Sequence, residues 1–335
     1  MAKTTNISWA DSTASPWFGC TEVSPGCANC YAREFTVQKF GWKEGVMRRA
    51  YKAAGFADWE TRPVWGHNAT RVVSKGFWSD VVKWHRSAMA TGSPIRVFPS
   101  LMDWLDEMPA GIVDLEGNHH QPDYVLARFL QVVLQCDGIE WLLLTKRIGD
   151  WSQRLSGAAD QMERHSMFAS ELPKLHDWLV NGRPPRNVRV GVTVENQHQA
   201  DERVWRLIGM PAASRFLSVE PLLERVDLRV LGCGNEPAKI LPLSKQWHPD
   251  GSNEPLSMFT GIDWVIVGGE SGQKFRRIDH KDIEFVAWQC QQAGVPVHVK
   301  QDCGLKPGEQ GRIAPEWFSL KQYPEPYTIT SKSNQ

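Results

Sequence analysis

Six short apolar runs recur along the chain, separated by stretches with helical periodicity. Runs of this kind are typical of buried parallel strands. Strands that alternate with helices join through right-handed crossovers and build a parallel sheet. The pattern is compatible with an open doubly wound sheet and with a full or partial TIM-type barrel. The runs are IRVF (95–98), WLLLT (141–145), VRVGVTV (188–194), RFLSV (215–219), WVIVGG (264–269) and VPVHVK (295–300).

Two of the intervening helices are predicted by apolar residues on one face. The first spans 122–135, and the second spans 200–209, where Gly209 is a natural stop. The predicted buried positions are Val125, Leu126, Phe129, Leu130, Val133 and Leu134 in the first helix, and Val204, Leu207 and Ile208 in the second.

Polar residues follow each apolar run. Parallel strands bring their carboxyl ends to one edge, which is the active face of a barrel, so we expect these residues to share one site. Polar residues that only cap strands at the surface are the alternative. The residues are Ser100, Asp103, Thr145, Lys146, Arg147, Thr193, Glu195, Asn196, Glu220, Gly268, Gly269, Glu270, Ser271, Lys300 and Gln301.

Three cysteines cluster in WFGCTEVSPGCANCYAREF (17–35), here called the cysteine segment. Cys27 and Cys30 are spaced so that two thiolates can contact one centre. The turn residues at 24–26 can bring Cys20 back towards it. The segment therefore predicts a metal site with three thiolates.

Two metals suit this site. Structural zinc normally takes four ligands, so it would need His67, His85 or a distant cysteine, and the sequence has no second CxxC or HxxxH pair. A 4Fe-4S cluster with three thiolates keeps one iron open to a small molecule. The spacing favours the cluster, and zinc, a redox role or coincidence are the alternatives.

The other cysteines stand apart from the segment. Cys136 and Cys290 read as small core residues, and Cys233 lies in a Gly-flanked stretch. Cys303 follows the last apolar run, where strand ends often line active sites, so it is a candidate for a functional role.

Composition sets the class of protein. The chain has 335 residues, 41% of them hydrophobic, and equal numbers of Lys+Arg and Asp+Glu at 38 each. A zero formal charge gives no global basic field, so nucleic-acid binding would have to be local. We expect a cytosolic protein without a signal peptide or membrane span. Seven cysteines in a reducing compartment indicate metal or catalytic use.

Several blocks together carry a family resemblance. They resemble the phage- and prophage-associated family of three-cysteine, radical-SAM-like proteins, and the likeness runs from about Ile7 to Gln301. The blocks are ISWADST, PWFGCTEVSPGCANCYA, LLLTKR, VRVGVTVENQHQAD, RFLSVEPLLERVDL, DWVIVGGESG and VPVHVKQ.

This resemblance implies an α/β fold, a partial (β/α) TIM-type barrel of the radical-SAM kind with helical and loop insertions. It implies that Cys20, Cys27 and Cys30 hold a 4Fe-4S cluster whose open iron binds S-adenosylmethionine (SAM). Cleavage of SAM, with an electron from an external donor, would give methionine and a 5′-deoxyadenosyl radical that abstracts hydrogen from a substrate. The usual CxxxCxxC loop has an aromatic residue before its third cysteine, whereas here Asn29 precedes Cys30 and Tyr31 follows it.

Roles for the strand-end residues follow from the same resemblance. Thr193, Glu195 and Asn196 are expected to hydrogen-bond the SAM ribose. Ser100 and Asp103 are expected to hold the methionine ammonium group. These residues, with Glu220, form part of the predicted cofactor-binding set.

The remaining predicted site residues concern close approach and charge. Gly268 and Gly269 would let the backbone approach a ligand while Glu270 supplies charge, with a tight strand-to-helix turn as the alternative. Lys146, Arg147 and Lys300 are the predicted catalytic residues. Their positive charge suggests an anionic substrate such as a nucleotide or a nucleic-acid phosphate.

The predicted organisation is one catalytic domain over 1–304, with insertions at about 36–94 and 231–260 and a polar tail over 305–335. We predict a cytoplasmic radical-SAM enzyme, in the host cytoplasm if phage-encoded, acting on a small molecule or nucleotide, with a nucleobase in phage DNA hypermodification as a candidate substrate. A non-enzymatic iron-sulfur or zinc-binding interaction protein is the alternative. Neutral charge permits a nucleotide or flipped base in a pocket, and no membrane partner is expected.

Overall fold

The computed structural model describes residues 5, 7–234, 236–243, 261–325 and 327–329. Most of the second predicted insertion and the last residues of the predicted tail therefore lie outside the described residues. The chain divides into two compact units. The first unit holds residues 1–143, 150–188 and 327–335, and the second unit holds 144–149 and 189–326.

Strands and helices alternate along most of the chain. The described strands are β1 (Ser12–Thr13), β2 (Trp17–Phe18), β3 (Arg71–Val73), β4 (Ile95–Phe98), β5 (Ile112–Val113), β6 (His119–His120), β7 (Ile139–Thr145), β8 (Val188–Thr193), β9 (Ser214–Val219), β10 (Leu231–Cys233), β11 (Glu236–Ile240), β12 (Trp264–Gly268) and β13 (Val297–Gln301). The described α-helices are α1 (Tyr31–Phe40), α2 (Val46–Ala53), α3 (Lys75–Thr91), α4 (Pro122–Gln135), α5 (Trp151–Arg164), α6 (Leu172–Leu179), α7 (Gln197–Gly209), α8 (His280–Gln292) and α9 (Pro315–Phe318). None of these helices is long and apolar enough to cross a bilayer.

The six apolar runs are strands β4, β7, β8, β9, β12 and β13, as predicted. The predicted helix over 122–135 is α4, and its predicted apolar positions are all buried. The segment 200–209 lies within α7, where Val204 and Leu207 are buried as predicted, whereas Ile208 is only partly buried. The individual strand and helix predictions are therefore confirmed.

The prediction of a partial (β/α) TIM-type barrel of the radical-SAM kind is wrong. Among the described residues, seven strands form one sheet in the order β1-β4-β7-β8-β9-β12-β13, with β1 and β13 at its edges. A TIM barrel instead closes with eight strands. The pairs β1–β4, β4–β7, β8–β9, β9–β12 and β12–β13 are parallel. The two-residue β1 has little backbone to offer a further strand, and the fold is mixed α/β with two smaller sheets, β2-β3-β5-β6 and β10-β11.

An aromatic cluster forms much of the core of the first unit. Phe129 on α4 packs edge-on against Trp17, Phe77 and Trp141, with ring centroids between 5.6 and 6.1 Å apart. All four rings are almost completely buried. Burial of a side chain of this size stabilises a fold by roughly 1.5–3 kcal/mol. The cluster joins strands β2 and β7 to helices α3 and α4.

The core of the second unit lies around β8, β9, β12 and β13. Trp264 on β12 packs beside Phe216 on β9 and Tyr323, with centroids 5.7 and 5.5 Å away. The tail is tied to the same sheet, because Val299 donates a backbone hydrogen bond to Leu320 O and Gln322 donates one to Val297 O. Residues 320–323 therefore pack as part of this unit.

Candidate functional site

The cysteine segment is a tight turn followed by a helix. Pro25–Cys27 forms a single 3₁₀ turn, in which Cys27 N donates to Ser24 O at 2.9 Å. Cys30 is the N-cap residue of α1, and its backbone is extended. Cys27 is buried, whereas Cys20 and Cys30 are partly exposed. Pro25 suits the first position of such a turn, because its fixed φ is helical and it has no N–H to satisfy.

A buried arginine fixes the start of this segment. Arg71 on β3 is fully buried, and its Nε donates to Asp106 Oδ2 at 2.7 Å. Its Nη2 donates to Thr21 Oγ1 at 2.6 Å, and Nη1 donates to the carbonyl oxygens of Gly66 and Ala69. Gly66 N also donates to the Cys20 carbonyl oxygen at 2.9 Å. One guanidinium thus holds the backbone around Cys20.

The same segment lies at the carboxyl end of β4. Gly19 N donates to Leu101 O at 3.4 Å, three residues after the strand ends at Phe98. Asp103 is buried, and its Oδ1 accepts from Leu105 N at 3.0 Å, which closes the turn that leads to Asp106. Within the first unit, the loop carrying Ser100 and Asp103 is therefore joined to the cysteine segment.

The cysteine segment supplies donor atoms suited to an iron-sulfur cluster, in kind and number. Three thiols lie within eleven residues, two of them partly exposed, and Cys30 stands at a helix N-terminus that favours bound negative charge. Over the described ranges, no three His, Cys, Asp or Glu side chains are already arranged to hold a metal ion.

In the second unit, a fully buried carboxylate follows β8. Glu195 Oε2 accepts from Arg203 Nη1 at 2.7 Å, and Glu195 Oε1 lies 3.6 Å from Lys146 Nζ. Arg203 Nη1 also donates to Thr193 O at 2.8 Å. A buried carboxylate needs such partners, because desolvation of an isolated charge is costly.

Two more carboxylates follow the next strands and are paired in the same way. Glu220, after β9, forms an ion pair with Lys300 on β13. Glu270, after β12, accepts from Arg276 Nε and Nη2 at 3.0 and 2.6 Å. The hydrogen bond to Glu270 raises the pKa of Arg276, and the charge of Glu195 adds to this effect. The strand-end cluster, as we call it, comprises Lys146, Glu195, Arg203, Glu220, Glu270, Arg276 and Lys300.

The remaining strand-end residues have structural partners. Asn196 is the N-cap of α7, and its Oδ1 accepts from Gln199 N at 2.8 Å. Arg147 N donates to Thr145 Oγ1 at 2.9 Å. Gly268 O accepts from Leu222 N. A Cβ at Gly269 would clash with the backbone of Cys303, so this glycine permits close approach by the chain itself.

Cys303 differs from the core cysteines because it has a cation beside it. Arg312 Nη2 lies 3.3 Å from Cys303 Sγ and also donates to Asp302 Oδ1 at 3.0 Å. Burial raises the pKa of Asp302, but hydrogen bonds from Arg312 and from backbone amides lower it more, so its pKa is below the ordinary value. Cys136 and Cys290 are buried, as predicted, and burial raises the pKa of Cys136 to about 11.

Sequence reasoning missed the arginines that hold these residues. Arg203 had a usable signal, since it lies at helical spacing with the buried Ala200, Val204 and Leu207 on α7. A charge on a buried face indicates a buried partner. Arg71 and Arg276 have no comparable signal, because Arg71 lies in a three-residue strand and Arg276 lies in no helix or strand, so neither shows a periodicity.

The structure brings Glu195 to Lys146 and Glu220 to Lys300 within the second unit. The cysteines, Ser100 and Asp103 belong to the first unit, and their convergence with the strand-end cluster stays a prediction.

Comparison with known proteins gives one match. A family model described as "Protein of unknown function (DUF5131)" matches residues 4–316. No curated protein and no solved structure matches the chain significantly. Because the matched region covers most of the 335 residues, the chain belongs to the DUF5131 family.

Proposed function

We propose that this protein is a radical-SAM enzyme of the cytoplasm that uses Cys20, Cys27 and Cys30 to bind a 4Fe-4S cluster. The observation that carries the proposal is the position of the cysteine segment at the carboxyl end of the parallel strand β4, joined there through Gly19 and Leu101. In open α/β sheets, ligands bind outside the carboxyl ends of the strands. A three-thiol segment at such an edge suits a cofactor with an open coordination position better than a buried structural metal.

With both cofactors bound, an external donor would supply one electron to SAM, and the C5′–S bond of SAM would break to give methionine and a 5′-deoxyadenosyl radical. That radical would then take a hydrogen atom from the substrate. The chain contributes binding and orientation. Asp103 would offer a carboxylate to the methionine ammonium group, and Glu195 would accept a hydrogen bond from a ribose hydroxyl. Arg203 holds Glu195 in place and is a positioning residue.

The charges of the strand-end cluster indicate the class of substrate. Lys146 and Lys300 are paired with Glu195 and Glu220, so an anionic nucleotide or nucleobase-bearing substrate would exchange those partners on binding. Arg147 adds a further cation beside them. We include a nucleotide or a DNA base as the substrate class in the proposal.

The experiment is anaerobic purification with iron, sulfide and zinc analysis, followed by SAM and a low-potential one-electron reductant. We expect one 4Fe-4S cluster per chain, and formation of methionine and 5′-deoxyadenosine. Cys20→Ala, Cys27→Ala and Cys30→Ala should each abolish the cluster, whereas the matched control Cys290→Ala should retain it.

Two outcomes would contradict the proposal. Stoichiometric zinc without sulfide would indicate a structural metal protein. An intact, reduced cluster that neither binds nor cleaves SAM would favour the interaction-protein alternative. Glu195→Gln and Asn196→Ala separate the roles further, because they should weaken SAM binding while iron and sulfide stay unchanged.

A further inference from the structure

A small cavity in the first unit lies apart from the residues discussed so far. It measures about 200 Å³ and is lined by the start of α3, the β5–β6 hairpin and the first half of α4. Pockets for drug-sized ligands measure roughly 300–1,000 Å³. A cavity of the smaller size suits one ring system. Its lining residues include Trp78, Asp114, Glu116, His120, Tyr124 and Arg128.

Aromatic rings form much of the wall. The Arg128 guanidinium lies 4.6 Å from the centroid of the Trp78 ring, a cation–π contact. The rings of His120 and Tyr124 are nearly parallel, 10° apart, with centroids separated by 6.4 Å. Trp78, His120, Tyr124 and Arg128 all line the cavity and are only partly buried.

The hairpin wall is held in a fixed position. Asp114 Oδ2 lies 2.9 Å from His120 Nε2, and Asp114 Oδ1 accepts from the backbone N–H groups of Glu116 and Asn118. Gly117 at the hairpin has φ +89°, and a Cβ there would clash with the backbone of Ala53. The hairpin therefore packs closely beside the end of α2. Strand β6, which carries His120, is held in position before a ligand binds.

The rim of the cavity carries exchangeable charge. Lys75 Nζ lies 3.5 Å from Glu116 Oε1, and the two side chains are 78% and 61% exposed. Exposed pairs of this kind contribute little stability. Lys75 could therefore leave Glu116 for a phosphate at low cost, while the Glu116 carboxylate would accept hydrogen bonds from base N–H groups.

We propose that this cavity binds a nucleobase, with Lys75 and Arg128 contacting the attached phosphate. Stacking surfaces interleaved with Arg and Lys are the arrangement that binds single-stranded nucleic acids without strict sequence preference. A neutral sugar would also stack on such rings, but it would make no use of the two cations. The proposal does not depend on SAM cleavage, because no cysteine takes part.

The test measures binding of fluorescein-labelled hexathymidylate and hexaadenylate to the full chain by anisotropy, without iron, SAM or reductant. Trp78→Leu should weaken binding roughly 5- to 100-fold, since stacking on one aromatic ring has about that value. Lys75→Gln should lower the slope of log affinity against log salt by about 1. Matched controls are the exposed Trp42→Leu and, on the same helix α3, Lys83→Gln, which should leave binding unchanged.

Photo-crosslinking with 4-thiothymidine in the oligonucleotide locates the base directly. Crosslinks in the peptides carrying Trp78 or Tyr124 support the proposal, and crosslinks confined to other peptides overturn it. Thymidine monophosphate that competes as well as the hexamer indicates a free nucleotide as ligand, and a hexamer-only response indicates a strand.

Three further outcomes would also overturn the proposal. The first is an absence of oligonucleotide binding up to the solubility limit. The second is unchanged oligonucleotide binding in both the Trp78→Leu and the Lys75→Gln variants, when both variants melt at the same temperature as the unaltered protein. The third is binding of a neutral hexasaccharide that Trp78→Leu removes. Lys75 is exposed, so its variant stays informative even if the Trp78 variant folds poorly.

Discussion

The cysteine segment and the strand-end cluster are both held by arginine, but through different atoms. Arg71 binds backbone carbonyl oxygens, the Thr21 hydroxyl and Asp106. In the second unit, Arg203 and Arg276 bind the very carboxylates that the sequence predicts to contact a ligand. The first region is thus fixed through its scaffold, and the second through its own charged groups.

In the cysteine segment, the contacts that stabilise the fold are separate from the groups that would bind a ligand. In the strand-end cluster, the same charged groups serve both purposes. Around Cys20, the restraints act on backbone and neighbouring groups, so a ligand of the thiols need not break them. A ligand of Glu195 or Glu220 has to share or replace an existing ion pair, and breaking a buried pair is costly. We therefore expect substitutions in the two regions to behave differently.

The largest effect is expected at Arg71. Arg71→Met leaves the 1%-exposed Asp106 without this partner, and loss of one member of a buried pair costs about 3–5 kcal/mol in free energy of unfolding. Urea unfolding checks this, with Arg183→Met, 76% exposed, as the control that should change stability by less than about 0.5 kcal/mol. Equal stability of the Arg71 variant and the unaltered protein would show that the scaffold is held by other contacts.

An intermediate effect is expected at Glu195. Glu195→Gln keeps the shape and an oxygen that can still accept from Arg203, but it removes the negative charge facing Arg203 and Lys146, which should cost about 1.5–3 kcal/mol. Glu202→Gln on α7 is the control, because its partly exposed i,i+4 pair with Arg206 contributes about 0.3–0.5 kcal/mol. A neutral or stabilising Glu195→Gln would reverse the comparison, since it would mean that the carboxylate is retained for binding at a cost in stability.

The smallest effect is expected at Asp302, directly after β13. Its pKa is lowered in the folded protein, so its ionised form stabilises the fold above the unfolded pKa of about 3.9, and this contribution is lost as pH falls through the folded pKa. Asp302→Asn should cost about 1 kcal/mol at neutral pH, because Arg312 is 46% exposed.

Thermal melting at pH values from 7 down to 3 checks this pH dependence, because this interval includes the ordinary pKa range of carboxylates. The difference between Asp302→Asn and the unaltered protein should shrink with falling pH. Asp80→Asn, with a 45%-exposed carboxylate, is the matched control. A difference that stays constant over this range would contradict ionisation of Asp302 as its source.

The regular elements of the fold could be predicted because their burial is visible in the sequence. The run WLLLT marks β7 from its uniform hydrophobicity, yet the strand begins two residues earlier. Glu140, a charged residue at 3% exposure, conceals that start. Strands such as β2 and β5 contain two residues each, too few for any periodicity, so the sheet β2-β3-β5-β6 has no signal. The alternation of strands and helices in the sequence also indicates parallel pairing, but it does not show whether the sheet closes into a barrel.

For the candidate site, the sequence showed which polar residues follow the strands, but it did not show which residues they pair with. Glu195 and Glu220 are visible because each follows an apolar run. The pairing of Glu220 with Lys300, 80 residues away, depends on which strands are neighbours in the sheet, and a single sequence does not encode this locally. Arg71 is a similar case, since its contacts with Thr21 and Asp106 depend on folding of residues 50 and 35 positions away.

Those long sequence separations have a kinetic consequence. Lys300 and Glu220 are 80 residues apart, so their ion pair can form only after β9 and β13 have joined the sheet. Formation of such a contact requires closure of a long loop first, so we expect this ion pair to form after the folding transition state. Its contribution then appears mainly in the unfolding rate, so the ion pair would lengthen the lifetime of the folded second unit without accelerating its formation.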